Sequence, residues 1–402
     1  MNVHRFAILV VLAAALAVFS GAETPVCIDP ADQRNAVVSG NVVAWEDSRH
    51  GNRDIYMKDL ETGVETRVSS SAADETNPDI DGGRIVYQSG AATILLYELG
   101  TGATTTVAAA PGERSRPRIS GNRVVWQDRR GSDWDVYHRD LETGVETLMT
   151  STGDQHSPSV DGNQVIWVSE GADGGTSLAV YDYASLSTYR IAPAGRPSSP
   201  DLGGGAVTYL AGEPGNRRAY SHAITGGLPR AIEVGAGSHL GQRIDGARVV
   251  LEVEGTGPEI WVYSMNFETG TQITANGVDV ADQDPEIDGT RIVWETDRNG
   301  NWDIYTASLD AGPITTAPVA EVTPVPTATP VQPGSRFGTR RYVVGAIPLN
   351  PPTGISGGAG RTVAEPKGTR AAIGTGTATG LTPPASRFVR WSPLTRWRAG
   401  IK

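Results

Sequence analysis

Acidic side chains recur at fixed places along this 402-residue chain, and they are its best candidates for chemistry. Asp32, Asp74, Glu113 and Asp154 each stand four residues before a repeated proline position, and Asp282 is one place off. Gln33, Gln155 and Gln283 follow their acidic neighbours, and His156 and His239 stand two before the proline or its replacement, Gly241. Arranged around a common axis, these residues would ring one mouth of a channel and could hold a cation, a sugar or a basic peptide. The plainer reading has each carboxylate capping a local turn through backbone N–H groups.

A second pattern follows three large aromatic residues. Counting from Trp45, Trp126 and Trp294, an arginine stands at +4 (Arg49, Arg130, Arg298), an aspartate at +9 (Asp54, Asp135, Asp303) and a tyrosine at +11. The Arg and Asp are expected to face each other across a short hairpin as a surface ion pair worth well under ~1 kcal/mol. The other reading combines Asp47, Asp54, Asp128 and Asp135 with loop carbonyls into a Ca²⁺ site, because a hard cation takes several oxygens. No dense run of alternating aspartates supports that reading, and no Cys/His spacing suggests zinc. Asp79, Asp201 and Glu286 lie on strands expected to line the axis, where a pair of carboxylates would suit glycoside hydrolysis. Nothing in the sequence marks two of them as acid and nucleophile.

The elements that must position these residues repeat seven times. A glycine stands five residues before a large residue that ends a β-branched run, at Gly40/Trp45, Gly82/Tyr87, Gly121/Trp126, Gly162/Trp167, Gly204/Tyr209, Gly246/Leu251 and Gly289/Trp294. The anchors are 39 to 43 residues apart, a period that means radial blades or stacked arrays. Within 74–113, short strands around Pro78–Ile80, Arg84–Tyr87, Thr93–Leu99 and Thr104–Val107 are joined by Asp-Gly and Thr-Gly turns. Four strands per unit make a propeller blade. The expected fold is therefore an all-β propeller of seven four-stranded blades, with six as the alternative. Its last blade needs a fourth strand, from Pro25–Ile28 or from Pro313–Thr316, and the first of these is favoured.

Composition divides the chain. Residues 311–402 carry 11 basic and 2 acidic side chains, leaving 23 basic and 43 acidic in 1–310. So acidic a body argues against nucleic acid as its partner. Arg5, the apolar run Phe6–Phe19 and the small residues Ser20-Gly21-Ala22 read as a signal peptide over 1–22, and no later run is long enough to span a bilayer. The propeller is expected over 23–312, with a Pro/Thr-rich linker over 313–333. Residues 334–402 form a basic tail too poor in apolar runs to offset chain entropy, and it is expected to be disordered. Cys27 is the single cysteine, so no intrachain disulfide can form.

The motifs Pro-x-Ile-Asp-Gly, Arg-Ile-Val-Trp, Asp-Leu-Glu-Thr-Gly (59–63) and Asp-Arg-Asn-Gly-Asn-Trp-Asp-Ile-Tyr (297–305) together resemble TolB-type β-propeller repeats over roughly 32–310. The resemblance implies an exported or cell-surface propeller. About ten residues separate the expected cleavage site from the first repeat, so the α/β domain that precedes the propeller in TolB, and with it the Tol-Pal role, is not expected to transfer. No Gly-x-Ser-x-Gly elbow follows, unlike prolyl-oligopeptidase relatives. The expectation is a non-catalytic module, secreted, at the cell surface or in the periplasm, that recognises protein or carbohydrate and carries no cofactor other than Ca²⁺. The alternative is a secreted hydrolase of glycans or peptides with its site at the channel mouth. Like residues repeated around the axis would favour the module; unlike residues gathered together would favour the enzyme.

Overall fold

The computed structural model describes residues 22–311 except 110, 150–152, 172–173 and 192–194. The expected linker, tail and all but the last residue of the leader lie outside them. The described residues form seven four-stranded antiparallel sheets, and their only helix is the 3₁₀ turn Leu309–Ala311. In six sheets the chain runs outward through all four strands from an innermost one, and in the seventh through three. Consecutive innermost strands touch, and Gln33–Ser39 of the first blade touches Asp282–Asp288 of the last, so the sheets close into a ring.

Closure uses the start of the described chain. Thr24–Cys27 pairs with Asp303–Ser308, the third strand of the seventh blade, with Thr24 opposite Thr306 and Cys27 opposite Ile304. This is the favoured one of the two expected closures. Edge N–H and C=O groups that would otherwise stay unpaired are thereby used. Cys27 is buried, and burial pushes its thiol up to about 12, so it packs as a small apolar side chain.

All seven anchors are buried: Trp45, Tyr87, Trp126, Trp167, Tyr209, Leu251 and Trp294. The reason lies in the seams. The apolar core divides into seven clusters, and each joins residues of two neighbouring blades. Tyr87, for example, packs with Ile55 and Val68 of the preceding blade. A single sheet cannot cover its own bulky face, so the ring is what makes burial possible. The turn glycines, Gly82 among them, take φ near +57°, as an Asp-Gly hairpin requires.

Every innermost strand also breaks register, six of them at the same point and the sixth blade's between His239 and Gly241. The shift lies between Arg34 and Val37 in the first blade, Thr76 and Asp79 in the second, and Gln283 and Glu286 in the seventh, with counterparts in the third, fourth and fifth. Six of these bulges hold a non-glycine residue in the left-handed region: Asn35, Asn77, Arg116, Ser157, Ser199 and Asp284. In five of them the next residue is proline, which cannot donate to a ladder and is tolerated in a sheet at such a bulge.

Candidate functional site

The bulges decide what faces the axis. In three blades the residue after the anchor reaches across the seam and accepts the backbone N–H of the next blade's left-handed residue. Asn77 N–H donates to Glu46 Oε1 at 2.8 Å, Ser157 N–H to Gln127 Oε1 at 3.0 Å and Asp284 N–H to Glu252 Oε2 at 3.2 Å. Each bulge is thus held by its neighbour. The residue two places further on then meets its counterparts near the axis: Val37, Asp79, Arg118, Ser159, Asp201, Arg243 and Glu286. Two small cavities lie there, each of about 60 Å³. One is bordered by Asn35, Asn77, Arg118, Arg243, Asp284 and Glu286. The other is bordered by Arg116, Arg118, Ser157, Ser199, Asp201 and Arg243.

These residues pair across the seams. Arg243 Nε donates to Glu286 Oε1 at 2.6 Å, and Arg118 lies 3.8 Å from Asp79. Asp79 Oδ2 accepts the Ile119 N–H at 2.7 Å. Asp201 accepts the Ser159 hydroxyl at 2.7 Å and the Ile244 N–H at 3.0 Å. The side chains of Asp79, Arg118, Arg243 and Glu286 keep between a fifth and a third of their surface exposed, so solvent reaches them, whereas Ser159 is buried. Burial pushes Asp79 up to about 7 against the opposing pull of Arg118, and burial also raises Glu286. Asp79 can therefore give or take a proton near neutrality.

The residues expected at the channel mouth sit elsewhere. Asp32, Asp74 and Asp154 cap loops of the preceding blade: Asp32 Oδ1 accepts Trp302 N–H at 3.1 Å, Asp74 Oδ1 accepts Arg53 N–H at 3.0 Å and Asp154 Oδ1 accepts Trp134 N–H at 2.9 Å. Glu113 is exposed, 4.0 Å from Arg129. Gln33, Gln155, His239 and Asp282 are buried in the seams. Gln33 donates to Ala31 O, and Gln155 accepts the Trp167 indole N–H at 3.0 Å. His239 Nδ1 accepts the Ala219 N–H at 2.9 Å, which leaves Nε2 to donate to Val234 O, and burial lowers its pKa. Asp282 lies 3.2 Å from Arg298. His156 bridges Ser157 and Glu170, and Gln283 is half-buried opposite Glu295.

The expected surface pair of Arg49 with Asp54 is corrected. Arg49 turns back to Asp47, with Nη2 to Oδ2 at 2.6 Å and Nε to Oδ1 at 2.8 Å, while its guanidinium lies over the Tyr56 ring. Asp47 is fully buried and also accepts the Trp45 indole N–H at 2.9 Å. Asp128 repeats this with Trp126 and Arg130, and Arg114 adds a buried ion pair, its Nε 2.8 Å from Oδ2. Asp54 instead pairs with Arg67 at 2.7 Å, and Asp135 stands opposite Asp128 in the ladder. The pull of the aspartate toward Arg49 is local: the +2 carboxylate is already fixed by the indole, whereas +9 lies on the next strand.

The calcium reading therefore does not fit. Guanidinium groups stand where a cation would sit at Asp47 and Asp128, and no group of three His, Cys, Asp or Glu set to hold a metal occurs among the described residues. The axial cluster was only half visible beforehand. Asp79, Asp201 and Glu286 were read as axis-lining carboxylates, but Arg116, Arg118 and Arg243 were missed. The signal for Arg118 is the position immediately after the repeated proline, Pro117, and for Arg116 the one immediately before it; Arg243 follows Gln242, so its blade carries no proline to mark it.

No family model and no curated protein matches the chain. Solved structures do. An oligogalacturonate lyase in complex with manganese superposes with a TM-score of 0.56 at 17% identity, covering 73% of this chain and 94% of that one. The β-propeller domain of the trilobed protease from Pyrococcus furiosus, described as having an open velcro topology, gives 0.56 at 10%, covering 71% and 98%. An acylaminoacyl peptidase from Pyrococcus horikoshii gives 0.53 at 13%, covering 66% of this chain and 49% of that one. At such identities the likeness speaks for the propeller fold, which this chain shares with lyases and peptidases. It corrects the expectation that the chain is not an enzyme, since that was drawn from an architecture on which these neighbours are built.

Proposed function

We propose that the chain is an exported propeller of the TolB type that recognises a glycan or peptide at the cell envelope by seating a protruding group of it in the axial channel. One observation carries this reading. Equivalent positions on the seven innermost strands hold unlike residues, three carboxylates, two arginines, a serine and a valine, and five of them (Val37, Arg118, Asp201, Arg243 and Glu286) border the two axial cavities. A ring kept for packing alone has no use for such variety, and perturbed ionisable groups in a cleft mark functional sites. Each cavity has room for only a few water-sized groups, so it suits a side group rather than a whole sugar ring.

A second reading is favoured by the carboxylates. Asp79, pushed up to about 7, and Asp201, held by two donors, sit in different environments, which is what acid–base cleavage asks of a pair. The solved lyases and peptidases make an acid–base role on this fold reasonable, with a glycan or a peptide as substrate.

The test is a panel of glycans and peptides, scored for binding and for cleavage, on the wild type and on Asp79→Asn, Asp201→Asn and Glu286→Gln. Binding weakened at least tenfold by these changes supports channel recognition. Cleavage abolished by Asp79→Asn with binding kept supports the acid–base role. Ligands indifferent to all three changes would sink both.

A further inference from the structure

Within the channel, and resting on its reading as a ligand site, one wall is built differently from the other. Arg116, Arg118 and Arg243 converge on a single cavity, with Ser157, Ser199 and Asp201 beside them. Arg243 is matched by Glu286 at 2.6 Å, and Arg118 faces Asp79 loosely at 3.8 Å. Arg116 meets no carboxylate among the described residues, and the charges that act on it are those of Arg118 and Arg243. Asp201 borders the same cavity; its oxygens accept from Ser159 and the Ile244 N–H, and its charge acts on Arg243, whereas the charges acting on Arg116 are only those of the two other arginines.

Bringing like charges together costs free energy unless something offsets it. Arg116 is the left-handed residue of the third blade's bulge, at φ 53°, a conformation shared by the equivalent residues of five other blades, so the repeated register break is what brings this guanidinium to the cavity. A bulge bringing an unmatched guanidinium to two others makes an anion-binding wall. Guanidinium groups offer paired N–H donors that match the two oxygens of a carboxylate. One unmatched cation calls for one negative charge, which favours a carboxylate over a doubly charged phosphate.

We propose that Arg116, Arg118 and Arg243 form an oxyanion subsite of the channel that takes the carboxylate of its ligand, whether borne by a uronic acid or by a peptide C-terminus. Arg116 supplies the free charge, Arg118 a second donor, and Arg243 is the positioning residue that Glu286 holds in place.

Titration calorimetry on the full-length protein at low salt tests this with glucuronate, N-acetylglycine, the neutral amides of both, and inorganic phosphate. The variant is Arg116→Gln, an exposed position, checked for an unchanged melting temperature; Arg118→Gln is the second variant. Expected is binding of at least one carboxylate, loss of binding to its amide, and a weakening of about tenfold in Arg116→Gln. Tighter binding by glucuronate points to a glycan and by N-acetylglycine to a peptide. Equal binding of carboxylate and amide, indifference to Arg116→Gln, tighter binding of phosphate, or no carboxylate binding at all would overturn the subsite. A panel ligand still lost on Asp79→Asn but kept on Arg116→Gln would leave the channel reading standing and the subsite rejected.

Discussion

Arg243 Nε donates to Glu286 Oε1 at 2.6 Å across the seam between the sixth and seventh blades. The contact is both a seam clamp and a wall of the channel. Removing Glu286 takes from Arg243 its hydrogen-bonded counter-charge and leaves it facing Arg116 and Arg118 with the more distant charges of Asp201 and Asp284. Glu286→Ala is expected to cost about 1–2 kcal/mol, less than a dry ion pair because a fifth to a third of each side chain is exposed. The double variant Arg243→Ala/Glu286→Ala is expected to recover part of that. A urea double-mutant cycle giving no coupling would show that the pair does nothing for the seam.

Asp128 should matter more. It is fully buried, it takes the Trp126 indole and Arg130, and it faces Arg114, which is itself wholly inaccessible. Asp128→Ala strands a buried guanidinium and is expected to cost about 3 kcal/mol or more. Urea unfolding reads this directly, and a loss below 1 kcal/mol would contradict it.

Glu252 gives a pH test. Burial raises its carboxyl from 4.5 to about 7. The folded chain therefore keeps this proton to higher pH than the unfolded chain, so stability declines as pH rises from about 4.5 to about 7 and is flat above. The matching residue of the third blade is Gln127, which accepts the same kind of N–H bond. Glu252→Gln is thus expected to match the wild type near pH 4 and to exceed it at pH 8 by about 1–3 kcal/mol, a few degrees in melting temperature. A variant that loses stability at pH 8 would rule this out.

The turn glycines separate strain from crowding. Gly82 and Gly204 share φ +57°, but a Cβ on Gly82 would meet nothing, whereas one on Gly204 would lie 2.5 Å from Gly246 O. Gly82→Ala is expected to cost about 1–2 kcal/mol from the left-handed backbone alone. Gly204→Ala should cost clearly more and weaken the seam between blades five and six. Equal melting temperatures for the two variants would refute this.

Much of the fold was readable because each blade repeats the same demand. A left-handed turn selects Gly82 and Gly289, a crowded seam selects Trp45 and Trp294, and repetition turns these weak signals into a strong one. The register break was also written, as Pro78 and Pro285 inside strands, yet its effect was not. The break decides which side chain faces the axis, and in three blades Glu46, Gln127 or Glu252 holds it by reaching over from the blade before. The site stayed half hidden for a different reason. Asp79, Arg118 and Glu286 hold equivalent places but differ in kind, so a search for recurring carboxylates found two of them and passed over the arginine. Asp32 and Asp154 recur because every blade needs its loop capped.

Closure by Thr24–Cys27 fixes the order in which the molecule can be assembled. Six blades are made of neighbours in the chain and can form as they leave the ribosome. The seventh joins Thr24 to Thr306, 282 residues apart, so its outermost strand must wait until almost the whole propeller has been synthesised. Until then the first strand is a loose end and the ring an open crescent with two unpaired rims. That interval is when the nascent chain is most exposed to pairing with another copy of itself.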